Sequence, residues 1–283
     1  ALVTPGDEVV MFQPLYDAYL PLVLRAGGVP KLVRLAPPDW RITAKALDAA
    51  FSERTRVAIL NTPLNPSGTM AGPDELALLA ERVIASGAVL ISDEVWEHVV
   101  FDGRRHVSPM TLPGMRERTV KIGSAGKIFS LTGWKVGWMC AVPALAGPLS
   151  RAHQFLTFTT PPNLQAAAAY GLGKDDAYFE GMRADLARSR DRLAAQLGQA
   201  GWSVLRSEAT YFLSLDLGAS GIALDDVTFC DRLVAEFGVA AIPVSAFYAD
   251  DPVSNIVRLC FAKLDETLDA AAERMAQALK VLR

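Results

Sequence analysis

The residues able to do chemistry fall into four short blocks, each lying just after an apolar run. Tyr16 comes after residues 8–12, and Asn61-Thr62-Pro63-Leu64-Asn65-Pro66-Ser67-Gly68 after residues 57–60. Asp93-Glu94 comes after residues 88–91, and Ser124-Ala125-Gly126-Lys127 after residues 119–122. In an open α/β sheet, ligands bind beyond the carboxyl ends of the strands, so these blocks would share one rim carrying a phenol, an amide, an acid and an amine. A buried lysine amine near neutral pH forms an imine with a carbonyl, an acid holds a heteroaromatic nitrogen protonated, and an asparagine donates to a ring oxygen. Each block alone has a plain structural reading. The doubled Asn-Pro makes a turn, Asp93 caps a helix and Lys127 is a solvated loop charge. Their order and shared location favour the chemical reading.

Such a rim needs a sheet beneath it. Up to about Val142, short apolar runs alternate with segments of helical period, the pattern of a parallel sheet with crossover helices. Six strands are expected, at residues 8–12, 31–35, 57–60, 88–91, 119–122 and 136–142, the fourth and sixth apolar throughout and suited to burial on both faces. Pro73 opens a helix at its first turn, followed by Asp74 and Glu75 where the helix dipole favours acids, with Leu76, Leu79, Ala80 and Val83 as its inner stripe. Beyond Pro161 the pattern becomes a long helix at about 177–199, strands at 202–205, 211–217, 239–243 and 256–261, and a last helix at 265–282. The reading is a larger domain over residues 1–161 and a smaller C-terminal α+β domain over 162–283.

The 283 residues carry 28 Lys plus Arg against 31 Asp plus Glu, a net charge of -3 with no basic run. That composition gives no footprint for nucleic acid or an anionic membrane and favours a small-molecule partner. Cys140, Cys230 and Cys260 are scattered in apolar stretches, which fits reduced core thiols in a cytoplasmic setting better than a disulfide framework or a metal site. No apolar run approaches the ~18 residues that span a bilayer.

Taken together, residues 61–68, Asp93-Glu94-Val95, Ser124-Ala125-Gly126-Lys127 and Gly133-Trp134-Lys135-Val136-Gly137-Trp138 resemble the class I/II aminotransferases of fold type I. With Arg258-Leu259-Cys260-Phe261-Ala262-Lys263, they are most similar to the branch of kynurenine, glutamine and methionine aminotransferases, and the resemblance covers essentially the whole chain. It implies the α/β pyridoxal phosphate-dependent transferase fold, a homodimer, and transfer of an amino group between an amino acid, aromatic or sulfur-containing, and a 2-oxo acid. It makes Lys127 the Schiff-base lysine and proton carrier, with Asp93 the partner of the pyridine nitrogen. Asn65 becomes the donor to the ring oxygen, Tyr16 the residue stacked on the ring, and Ser124 and Lys135 the phosphate ligands. Arg258, helped by Asn61, clamps the substrate α-carboxylate, since a planar guanidinium meets a carboxylate with two parallel hydrogen bonds.

Three features depart from the family pattern. Trp96 stands where the family usually has a tyrosine whose hydroxyl helps hold the coenzyme, and an indole donates through one nitrogen at a different reach. Lys135 replaces the arginine of many relatives, as a marker of the branch. Residues 1–7 read as a helix end and turn already inside a domain, so upstream sequence is expected, bringing a further strand, a Gly-rich phosphate turn and residues for the partner subunit's site. His98, His106 and His153 lack metal-ligand spacing; the first two are expected on the surface or in loops, and His153-Gln154 echoes the methionine and kynurenine enzymes. Tyr19, Phe247 and Tyr248 are candidates both for a substrate pocket and for plain packing. A carbon-sulfur β-lyase on the same coenzyme is a rival reading, as is the effector-binding domain of a transcription regulator.

Overall fold

The computed structural model describes all 283 residues, Ala1–Arg283. Strands β1 (Glu8–Gln13), β2 (Val29–Arg34), β3 (Thr55–Asn61), β4 (Val89–Asp93) and β5 (Thr119–Ser124) run parallel, and β6 (Gly137–Cys140) pairs antiparallel with β5. Their order is β2-β1-β3-β4-β5-β6. The chain passes from β1 outward to β2 and then back across to β3, so a topological switch point lies between β1 and β3, where the strand ends open a crevice.

Burial on both faces explains the near-continuous apolar strands β1 and β3, whereas β4, expected to be buried on both faces, is fully buried on one, with Val89 and Ile91 of the other only half-buried. Val9 and Met11 of β1 pack with Val57 and Ile59 of β3 and with Val23 of α1 (Tyr19–Arg25). Val10, Phe12, Ala58 and Leu60 face the other way, under α2 (Ala44–Ala50) and α3 (Pro73–Ala85). Glu75 does more at the start of α3 than complement a dipole: buried, it accepts from the backbone nitrogens of Gly72 at 2.8 Å and Ile42 at 2.6 Å, capping the helix and tying it to the loop before α2.

The sixth strand differs from its expectation. β6 is largely exposed, Met139 and Cys140 included, because it has β5 on one side and no strand on the other. Apolar composition therefore did not report burial here, and Cys140 is not a core thiol. Cys230 is buried, and burial pushes its thiol up to about 12.

A short helix α4 (Ala125–Ile128) follows β5, and α5 (Pro143–Leu156), α6 (Pro162–Leu172) and α7 (Asp176–Ala200) lead to a second, antiparallel sheet. Its strands β7 (Ser203–Val204), β8 (Phe212–Asp216), β9 (Ile242–Pro243) and β10 (Ile256–Cys260) lie in the order β7-β8-β10-β9. Helices α7, α8 (Asp226–Phe237) and α9 (Asp265–Leu282) cover it, with Leu197, Phe229 and Met275 meeting Leu213, Leu215 and Val257. Trp96, Val99 and Phe101, from the segment after β4, sit inside this same core. The segment that begins at Asp93 is thus held by both sheets.

Candidate active site

Tyr16, Asn61, Asn65, Asp93, Trp96, Ser124 and Lys127 line one cleft of about 240 Å³ at the carboxyl ends of the strands, together with Val95 and Phe212. Four separate strand ends deliver them, which is why residues more than a hundred positions apart meet.

The loop after β3 is folded by its own side chains. Asn61 Oδ1 accepts from the Asn65 backbone nitrogen at 3.0 Å, and Asn61 Nδ2 donates to the Asp93 carbonyl at 3.1 Å, so this amide joins the ends of β3 and β4. One Nδ2 hydrogen remains for another partner. Gly68 closes the loop at φ +73°, a left-handed conformation. A Cβ there would lie 2.7 Å from Ser207 Oγ and 3.0 Å from the Ala209 carbonyl, so only glycine lets this loop dock on the second sheet.

Asp93 is mostly buried, and burial raises its carboxyl above the ordinary range against the opposing pull of three neighbours, the Tyr19 hydroxyl, the Val95 backbone N–H and the Lys127 charge. Tyr19 donates to Oδ2, and the Val95 backbone nitrogen donates to Oδ1 at 3.3 Å. Lys127, on α4, is half-buried and makes no ion pair; its Nζ lies 5.1 Å from the centre of the Trp96 ring. Burial lowers its pKa, as do the charges of Lys135 and Arg258, while Asp93 opposes them. The solvated-loop reading of this lysine therefore does not hold.

Trp96 is 2% exposed and meets Tyr211 and Phe212 edge-on, with ring centres 4.4 and 5.6 Å away. Phe212 carries Arg258 on its face, the guanidinium carbon 3.9 Å from the ring centre, and Phe247 lies 5.1 Å from the same carbon. Arg258 donates to Asn65 Oδ1 at 2.6 Å and has no acidic partner, which removes the alternative of a strand arginine paired with a surface acid. Burial lowers its pKa. Lys135 stands apart from the lining, exposed and in a left-handed conformation at φ 56°, yet close enough for its charge to act on Lys127.

His106 is not a surface residue. Its side chain is 7% exposed and its Nε2 lies 2.8 Å from Glu94 Oε2, while Ser108 Oγ donates to Glu94 Oε1 at 2.8 Å. Glu94 is fully buried and is not part of the cleft lining, and Lys121 adds its ammonium, 3.7 Å from Glu94 Oε2 and in contact with Glu97. Glu94, Glu97 and His106 are close enough together to hold a metal ion, but Lys121 supplies the cation. His98 stacks on Phe179 and is half-buried, and exposed His153 bonds Thr157 within its own helix end. Tyr248 belongs to the core: its hydroxyl donates to the Leu35 carbonyl at 2.7 Å and accepts from Trp40 Nε1 at 3.3 Å.

One participant carried no chemical signal in the sequence, and another, Tyr19, was a pocket candidate without its role. Phe212 reads as an ordinary strand residue, and Tyr19 gained meaning only when the fold set its hydroxyl against Asp93, 74 positions along the chain. A phenol three residues after Tyr16, at the start of a helix directed at the same rim, was the available hint.

Residues 1–275 match the family model described as aminotransferase class I and II. The chain is 42% identical to methionine aminotransferase of Escherichia coli (strain K12), over 98% of this chain and 72% of that protein. It is 36% identical to kynurenine–oxoglutarate transaminase of Dictyostelium discoideum, over 99% of this chain and 73% of that protein. Its fold superposes on the solved N-succinyldiaminopimelate aminotransferase of Mycobacterium tuberculosis with a TM-score of 0.93 at 42% identity, covering 98% of this chain and 73% of that one.

Proposed function

Because this chain belongs to the class I and II aminotransferases, we propose that Lys127 is its catalytic lysine and that the surrounding cleft holds pyridoxal phosphate and the substrate. The family fixes the reaction as transfer of an amino group between an amino acid and a 2-oxo acid with that coenzyme. When bound, pyridoxal phosphate supplies the aldehyde that receives the amine and the ring that draws electrons from Cα. The free donors of the cleft fit the group. Lys127 has no acid partner, Asp93 is a mostly buried carboxylate on the same cleft, and neither Ser124 there nor Lys135 outside its lining makes a side-chain hydrogen bond within the protein.

The proposed roles follow from what each side chain has left to give. Lys127 anchors the coenzyme and moves the proton at the substrate Cα, a task suited to an amine whose pKa is lowered. Asp93 holds a proton on the ring nitrogen. Asn65 has its Oδ1 occupied by Arg258, which leaves Nδ2 as the donor to the ring oxygen. Tyr16, about half exposed at the mouth, covers the ring face, and Trp96 walls the lysine side. Arg258 takes the substrate α-carboxylate with its remaining N–H groups, assisted by the one free hydrogen of Asn61 Nδ2. With the carboxylate and the amine both held, rotation about Cα is fixed and the Cα–H bond faces Lys127.

The observation that carries this reading is an unpaired, half-buried lysine sharing a cleft with a buried aspartate and an arginine-oriented asparagine. The proposal extends to an aromatic or sulfur-containing amino donor, supported by likeness to the methionine and kynurenine enzymes. It also includes a cytoplasmic setting, supported by three free cysteines, and two domains, residues 1–161 and 162–283, each with its own sheet. A homodimer is supported by Phe155, Leu156 and Phe158, apolar side chains 77–88% exposed at the end of α5. A donor survey tests the function: methionine and kynurenine should turn over beyond one equivalent per site only with a 2-oxo acid present, giving equal amounts of new oxo acid and new amino acid. Pyruvate and ammonia released from a cysteine conjugate without an acceptor would overturn it in favour of a lyase.

A further inference from the structure

Tyr19 is not part of the cleft lining and reaches Asp93 from a different element than any residue assigned above. It begins α1, its backbone nitrogen donates to the Tyr16 carbonyl at 3.1 Å, and its ring packs edge-on against Tyr16 with centres 5.6 Å apart. Its hydroxyl donates to Asp93 Oδ2, while the Val95 backbone nitrogen donates to Oδ1. Each carboxylate oxygen therefore has one protein donor, and the carboxylate cannot rotate without losing both. We infer that Tyr19 is a positioning residue for Asp93, fixing the carboxylate and keeping it ionised in a buried place that favours the neutral acid.

This inference rests on the assignment of Asp93 to the ring nitrogen. A neutral Asp93 could not stabilise a protonated nitrogen, so whatever holds the charge on the carboxylate also sets the strength of that contact. The charged and titratable groups facing it are few. Tyr19 reaches it from α1, Lys127 attracts from α4, and its chain neighbour Glu94 repels. Burial and the adjacent carboxylate raise the Tyr19 phenol well above its ordinary value, so it stays a proton donor across the working range. The same turn carries Tyr16, so ring stacking and the orientation of the acid are set by one short piece of backbone.

Tyr19→Phe keeps the ring and its packing and removes only the donor. The carbon-13 resonance of the Asp93 carboxyl, followed through a pH titration of the chain, should show its midpoint rise by about one pH unit or more, the equivalent of a tenfold change in proton affinity. Coenzyme affinity, read by tryptophan fluorescence, should fall about tenfold over the same comparison, with little change in melting temperature. Tyr16→Phe, which removes a neighbouring hydroxyl not bonded to Asp93, should leave the midpoint where it is. An unmoved midpoint in Tyr19→Phe overturns the inference alone if Asp93→Asn still weakens coenzyme binding. Unchanged coenzyme binding in Asp93→Asn overturns the assignment of Asp93 and the inference with it.

Discussion

Arg258 poses a conflict between folding and function that one substitution can expose. Its guanidinium is half-buried on β10 between Phe212 and Phe247, bonded to a neutral amide, with no carboxylate to balance it. A half-buried charge without a counter-charge costs folding free energy, and even paired buried charges exchanged for apolar residues of similar volume often leave stability unchanged or raise it by about 1–4 kcal/mol. Arg258→Met should therefore hold or raise the melting temperature while removing the clamp. The lost contact with a substrate carboxylate is two charge-assisted hydrogen bonds at about 1.5–3 kcal/mol each. Together that is about 3–6 kcal/mol, which lowers kcat/KM by at least about a hundredfold. Arg258→Lys keeps the charge but not the planar fork, so it forfeits one of the two bonds and should lose about tenfold to a hundredfold. Steady-state kinetics with an amino acid and with the matching amine lacking the carboxylate separate the effects, because the amine should be a poor substrate for all three proteins alike. Equal kcat/KM for wild type and Arg258→Met on the amino acid, with the fold intact, would refute the clamp. A sharp fall in melting temperature would refute the reasoning about the unpaired charge.

Asp93 has a folded-state pKa raised above its unfolded value, so its contribution to stability is present below about pH 3.9 and is lost as pH rises through the folded value. Asp93→Asn should accordingly gain stability relative to wild type between pH 4 and pH 7, seen in melting temperatures across that range, and a constant difference would count against it. Gly68→Ala places a methyl against the Ala209 carbonyl at φ +73°, and urea denaturation should show a loss of about 1–3 kcal/mol. His106→Ala deprives buried Glu94 of a partner and should cost about 1–3 kcal/mol in the same assay, whereas a surface histidine would cost almost nothing.

The sequence disclosed the rim better than the scaffold beneath it. Strands β1 to β5 and the turns after them were legible because parallel strands, covered to different degrees on their two faces, still concentrate apolar residues, and because ligand-binding turns in such sheets must follow strand ends. Burial of β6 was misread since Val136 to Val142 is as apolar as a central strand, and composition does not say how many neighbours a strand has. His106 was misplaced for a similar reason: a polar residue in a Gly- and Arg-rich loop looks solvated until Glu94, twelve positions earlier, is known to face it. Trp96 was legible as a departure but not as part of an aromatic wall, because its partners Tyr211 and Phe212 come from the other sheet.

The chemistry of the cleft turns on which amine carries the coenzyme. Incubation with pyridoxal phosphate, reduction with borohydride and peptide mass mapping should find the pyridoxyl mass on the peptide containing Lys127, and substitution of that residue by alanine should abolish it. Label spread over exposed lysines, with Lys127 unmodified, would contradict the account at its centre.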